Sequence, residues 1–148
     1  MTAPGFAPLE LHHVGCAVSP IGAAIDLYEQ LGFRRRSRIF EVTEQLVRVC
    51  FVELAPATYL ELVEPTGPDS PAAHFTATGF YHLCFLVDDL GRAEAFLDGR
   101  GLTPLRRTPS EAFAGNPCQF FMTADGHLLE CAEMTRAAFE AFFADSAA

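Results

Sequence analysis

Four residues of this chain have the types and the spacing for metal chemistry. His13 and Glu61 are 48 positions apart, and so are His82 and Glu130. The two pairs are related by one offset of 69 residues. Two imidazoles with two carboxylates, and no thiolate, make a borderline-to-hard donor set. It suits one divalent ion of Co, Mn, Ni, Fe or Zn, six-coordinate with positions left for water or substrate. A lone strand histidine beside apolar residues is more often a core or surface histidine than a ligand. Four residues obeying one repeat favour the metal.

The offset extends well beyond those four. The stretch "HVGCAVSPIGAAIDLYEQLGF" (13–33) lies without gaps over "HLCFLVDDLGRAEAFLDGRGL" (82–102), matching Val18 to Val87, Gly22 to Gly91, Ala24 to Ala93 and Gly32 to Gly101. Further on, "LELVE" (60–64) falls on "LECAE" (129–133), so Glu64 meets Glu133, and Phe51 meets Phe120. The chain is a tandem duplication, which sets two pseudo-symmetric units about one axis and brings the four ligand-type residues together.

Each unit reads as β-α-β-β-β. A first apolar strand leads into a helix, with Ser19 or an Asp of the 88–89 pair as N-cap and Pro20 suited to the first turn. Ile21, Ala24, Leu27, Tyr28 and Leu31 keep helical spacing, and Gly32 and Gly101 stand where a C′ glycine ends each helix. Strands are expected at about 35–42, 46–54 and 58–64, then 103–108, 117–123 and 127–133. The segment "PTGPDSPAAHFTATG" (65–79) links the units, with Asp69 or Ser70 capping a short helix. A last amphipathic helix at about 135–145 presents Phe139, Phe142 and Phe143 to the domain or to a partner.

In "ELHHVGCAVS" (10–19) strand alternation predicts that His12 and His13 face opposite ways. The duplicated one is His13; His12 falls on Tyr81, so its position is not reserved for imidazole. His13 shares its face with Gly15 and Ala17, leaving Val14, Cys16 and Val18 for the helix to cover. His82 shares its face with Cys84 and Leu86.

A net charge of −9 argues against binding nucleic acid through phosphates. The five cysteines are an odd number with no C-x-x-C pair, which reads as buried thiols in a reducing compartment. The start "MTAPGFAPLE" lacks a basic region followed by an apolar run, and no stretch has the length of a membrane span, so a cytoplasmic protein without membrane association is expected.

The repeat, together with "HHVGCAV", "YLELVEPTGPDSPAAHF", "YHLCFLVDD" and "LLECAE", resembles the vicinal oxygen chelate (glyoxalase/bleomycin resistance) superfamily, and within it the methylmalonyl-CoA epimerases. The resemblance implies one α+β domain over 1–148, built of tandem βαβββ modules (about 9–64 and 80–133) that form a cupped mixed sheet. It also implies His13, Glu61, His82 and Glu130 as ligands of one divalent metal, and a homodimer. The implied activity is epimerisation of a small-molecule substrate such as a CoA thioester by proton abstraction, with Glu130 and Glu61 as catalytic carboxylates related by the pseudo-axis, Glu130 the principal base and Glu61 mainly a ligand.

The chain departs from those epimerases in two places. "QLVRVCF" puts Val47 and Arg48, and no acid, where some carry a second catalytic glutamate, and "MTADGHLLE" is shorter than their turn before the last ligand. A glyoxalase-like lyase, a secondary-metabolism isomerase or cyclase, and a metal-free drug-binding resistance protein are the alternatives.

Weaker candidates surround the four. Arg34, Arg35 and Arg36 read either as a grip on coenzyme A phosphates or as a solvated strand entrance. "SEAFAGNPC" (110–118) reads as a lid or a plain loop, and Arg48 as a carboxylate binder or, by preference, an ordinary strand residue. His74 and His127 lack duplicate partners and stay outside the metal set.

Overall fold

The computed structural model describes residues 9–147; the first eight residues of the stretch considered above as a leader lie outside them. The first unit comprises β1 (Glu10–Ala17), α1 (Ile21–Gln30), β2 (Arg35–Arg36), β3 (Phe40–Val42), β4 (Val47–Ala55) and β5 (Thr58–Pro65). The second comprises β6 (Phe80–Val87), α2 (Leu90–Asp98), β7 (Thr103–Pro109), β8 (Pro117–Met122) and β9 (Leu128–Glu133), followed by α3 (Arg136–Ser146). Among the described residues these form one sheet ordered β2-β4-β5-β1-β6-β9-β8-β7, with β3 also on β4. The units join through antiparallel β1 and β6, while β5 and β9 run parallel to the first strand of their own unit.

The strand expected at 35–42 is broken in two. The Ser37 hydroxyl donates to the Arg38 carbonyl (2.7 Å) and accepts from the Phe51 amide (2.9 Å), so a side chain intercepts the ladder between β2 and β3.

The period-2 alternation sorts each strand into two faces. Cys16, Cys50, Val52, Leu60 and Leu62 pack under Ile21 and Ile25 of α1. Val87, Phe121 and Cys131 pack under Leu90, Ala93 and Leu97 of α2. The other face holds the inner core, where Val49, Phe51, Tyr59, Cys84 and Cys118 meet Phe113, Phe139 and Phe143. The phenylalanines of α3 therefore pack on the domain itself.

Helix α1 is not capped by Ser19. Pro20 holds the cap position without a side-chain bond, and Glu64, at the end of β5, accepts from the Ile21 amide at 2.8 Å. Its duplicate Glu133 accepts from the Leu90 amide at 2.9 Å, adding to Asp89, which caps α2 through the Arg92 amide. A carboxylate at a helix N-terminus satisfies an unpaired N–H and faces the positive end of the dipole. At the other end of α1, Gly32 takes φ 89°, and the Gly32 and Phe33 amides bond back to Glu29 and Tyr28. Ser70 caps the short 3₁₀ helix Pro71–Phe75.

Candidate metal centre

The strand pairing places His13, Glu61, His82 and Glu130 on the cup side of β1, β5, β6 and β9, and their ligand atoms lie within 4.8 Å of one another. The Nε2 atoms of His13 and His82 are 3.1 Å apart. Glu61 Oε1 lies 3.4 Å from His13 Nε2 and 3.5 Å from His82 Nε2; for Glu130 Oε1 the distances are 3.6 and 3.3 Å. Donors bound at about 2.1 Å to one ion stand roughly 3.0–3.4 Å apart in octahedral or tetrahedral arrangement, so the cluster is sized for a shared cation.

Its electrostatics point the same way. All four side chains are buried, and two carboxylates there need a compensating charge. Burial alone would lower His82, yet its bonds to Glu130 and Glu61 raise it to about 9. His13 is likewise raised by the same carboxylates against the effect of burial. Burial would raise Glu61, but the two imidazoles bring it well below the ordinary range. Burial would likewise raise Glu130, but its bonds to His13 and His82 lower it. Cys84 pairs across from His13, but burial pushes its thiol well above the usual value, so it offers no thiolate.

Sterics hold the histidines. Gly15 faces His82 across β1 and β6, and a Cβ on Gly15 would fall 1.9 Å from His82 Cε1. Phe113 lies parallel to the His13 ring at 6.0 Å, and Tyr81 and Phe120 stand edge-on to His82 at 4.5 and 5.2 Å.

The alternation expected of His12 and His13 does not hold. Leu11 pairs with Phe85 but His13 with Cys84, so His12 is an extra residue on β1. Both side chains are buried, with their Nδ1 atoms 2.8 Å apart. The pairing shifts back between Gly15–His82 and Cys16–Phe80, leaving Tyr81, the duplicate of His12, as the extra residue on β6. Nothing in hydrophobic periodicity signals either bulge.

The duplicated halves of the cup are filled differently. Around His13, Phe139 of α3 is packed at 4.0 Å from His12, 5.2 Å from Phe51 and 5.2 Å from Tyr59. At offset 69 these three correspond to Tyr81, Phe120 and Leu128, which instead line a cavity of about 220 Å³. Its other walls include Val47, Ala72, Phe75, Leu105 and the charged pair Glu44 and Arg106. A second, more open cavity of about 460 Å³ shares Phe75, Tyr81 and Leu128 and reaches His82. The Glu44 carboxylate on the wall of the first cavity is not among the sequence candidates: it lies in the 3₁₀ turn Thr43–Gln45 that precedes β4, a few residues before Val47 and Arg48.

The weaker candidates settle elsewhere. Arg35 bonds Glu53 through Nε (2.9 Å) and Nη2 (3.1 Å), Arg34 lies 3.7 Å from the same carboxylate, and Arg36 donates to the Ser37 carbonyl. None of the three lines either cavity. Arg48 holds Glu64, the cap of α1. In the 110–118 segment Ala112 and Phe113 are buried in the inner core, so it forms fixed wall over His13. His74 and His127 lie at the surface. All five cysteines are buried and unpaired. No helix among the described residues is long and apolar enough to cross a membrane.

Paired βαβββ units around a central His₂Glu₂ cluster define a fold of the vicinal oxygen chelate class. Residues 12–120 match the Glyoxalase/Bleomycin resistance protein/Dioxygenase superfamily, and the chain belongs to it. It is 31% identical over 119 residues to the mitochondrial methylmalonyl-CoA epimerase of Homo sapiens, a match covering 78% of this chain and 67% of that protein. It is also 31% identical to the ethylmalonyl-CoA/methylmalonyl-CoA epimerase of Cereibacter sphaeroides, over 78% of this chain and 89% of the relative. Among solved structures, a variant of Streptomyces coelicolor methylmalonyl-CoA epimerase in complex with 2-nitronate-propionyl-CoA superposes with a TM-score of 0.71 at 25% identity, covering 84% of this chain and 97% of the other.

Proposed function

We propose that this protein is a divalent-metal-dependent epimerase of an acyl-CoA thioester of the methylmalonyl-CoA type. The observation that carries the reading is the buried quartet of His13, Glu61, His82 and Glu130, with His82 packed on Tyr81 and Phe120 of an apolar cavity's wall. These four would hold the ion, and Co, Mn, Ni, Fe and Zn all suit two nitrogens and two carboxylates. When bound, a divalent ion supplies positive charge where a carbonyl oxygen gains negative charge as the neighbouring carbon loses its proton, a contribution of several kcal/mol.

The chain's own groups supply the rest. Glu130 is the principal base, and Glu61 is mainly a ligand. Inversion needs a proton carrier on the other face of the carbon. Glu44 supports that role as the carboxylate on the cavity wall; at offset 69 its place in the filled half is taken by Phe113. Glu44 Oε2 lies 3.4 Å from Arg106 Nη2, so a substrate carboxylate that bound Arg106 would free Glu44 to move a proton. Tyr81, Phe120 and Leu128 keep water from the carbanion-like centre.

The test is exchange of the α-proton of (2R)- and (2S)-methylmalonyl-CoA in D₂O, with protein as purified, metal-stripped and Co-reloaded. Metal-dependent exchange with interconversion of epimers is expected. Bound metal without exchange would transfer the reading to a glyoxalase-like activity of the same centre.

A further inference from the structure

We propose that His12 is a positioning residue that accepts a hydrogen bond from His13 Nδ1, and thereby keeps the lone pair of His13 Nε2 pointed into the His82–Glu61–Glu130 cluster. The inference rests on the reading of that cluster as a metal centre.

The argument is one of proton accounting. Two ring nitrogens at 2.8 Å share one proton, carried by one and accepted by the other. A neutral His13 that offers Nε2 as a ligand carries its only proton on Nδ1, and so must donate. His12 Nδ1 is then the acceptor, and its own proton sits on Nε2. That nitrogen is buried without a hydrogen-bond partner. It belongs to a ring enclosed by aromatic groups: Phe139 edge-on at 4.0 Å, Tyr59 parallel at 5.0 Å, and Phe51 and Phe113 at about 5.5 Å.

The geometry is specific to one half of the site. Strand alternation would have sent His12 to the α1 face, and the bulge brings it behind His13. The duplicate bulge presents Tyr81 edge-on to His82, whose Nδ1 has no hydrogen-bond partner. On the side away from the cluster, one imidazole of the pair has a hydrogen bond and the other has aromatic packing. An acceptor behind a ligating histidine fixes its tautomer and raises its basicity, and loss of such an acceptor costs roughly 10–100-fold in metal affinity.

The test compares His12→Phe, which fills the aromatic cage without an acceptor, with His12→Asn, whose amide oxygen can stand near the place of Nδ1. Zinc and cobalt affinities are measured by chelator competition. Long-range ¹⁵N–¹H correlation spectra of the zinc-loaded wild type report which nitrogens carry protons. The expected result is a roughly 10–100-fold loss for His12→Phe and near wild-type affinity for His12→Asn even where its melting temperature falls. The spectra should show protons on His13 Nδ1 and His12 Nε2. Unchanged affinity in His12→Phe, or a proton on His12 Nδ1, would overturn the assignment of His12 alone. A wild type that bound neither ion would overturn the metal reading and this one with it. If His12→Phe does not fold, His12→Asn and the wild-type spectra decide.

Discussion

The His82 imidazole occupies the space that a side chain on Gly15 would need: a Cβ there would lie 1.9–2.5 Å from three atoms of the ring. One missing carbon on β1 thus makes room for a ligand on β6. Gly15→Ala should displace His82 and lower zinc affinity by at least ~100-fold, more than loss of an outer hydrogen bond. Chelator competition measures it, with circular dichroism to follow folding.

The proposed split between the carboxylates is separable by substitution. Glu130→Gln should reduce α-proton exchange by about 10²–10⁴-fold, the usual worth of a proton-transfer group. Glu61→Gln keeps an oxygen donor near the ion and should leave exchange within roughly tenfold of wild type. Equal losses in the two variants would remove the distinction.

Glu44 should reveal itself by uncoupling two readouts. With Glu44→Gln, one epimer should still exchange its α-proton through Glu130, while inversion falls by at least ~10²-fold. A variant that lost both equally, or neither, would exclude Glu44 as carrier for the second face. Following deuterium uptake and epimer ratio in one reaction gives both numbers.

The repeated helix caps predict a stability effect away from the site. Glu64→Ala and Glu133→Ala each leave a helix-starting amide unsatisfied, and each should cost about 1 kcal/mol in chemical denaturation. Glu64→Ala should cost more of the two, since it also strips Arg48 of its partner, whereas α2 keeps Asp89.

The Arg35–Glu53 pair carries a pH signature. The two bonds from Arg35 hold the Glu53 carboxyl below its ordinary value. A carboxylate whose pKa is lower folded than unfolded contributes stability that is complete above its unfolded value and is lost as pH falls through the folded one. Glu53→Gln should therefore be destabilised at pH 7, by no more than about 1 kcal/mol because Arg35 is partly exposed. The difference from wild type should shrink below pH 4.5, as thermal melts across pH will show.

What the sequence determined by itself was whatever near neighbours encode or the duplication copies. Strand alternation and helical spacing located most elements, and the offset of 69 singled out His13, Glu61, His82 and Glu130 from five histidines and many more acids. The parallel pairing of β1 with β5 and of β6 with β9 then brought those four together. The tertiary structure decided what depends on partners distant in the chain. Both bulges arise from the pairing of β1 with β6, so His12 could be placed behind His13 only once that register was known. The caps of α1 and α2 come from strands 43 residues away, beyond the reach of local cap rules. Which half of the cup stays open was decided by α3, whose Phe139 fills one side and has no duplicate to fill the other. A duplicated sequence proposes two equal halves, and close packing of one appended helix makes them unequal.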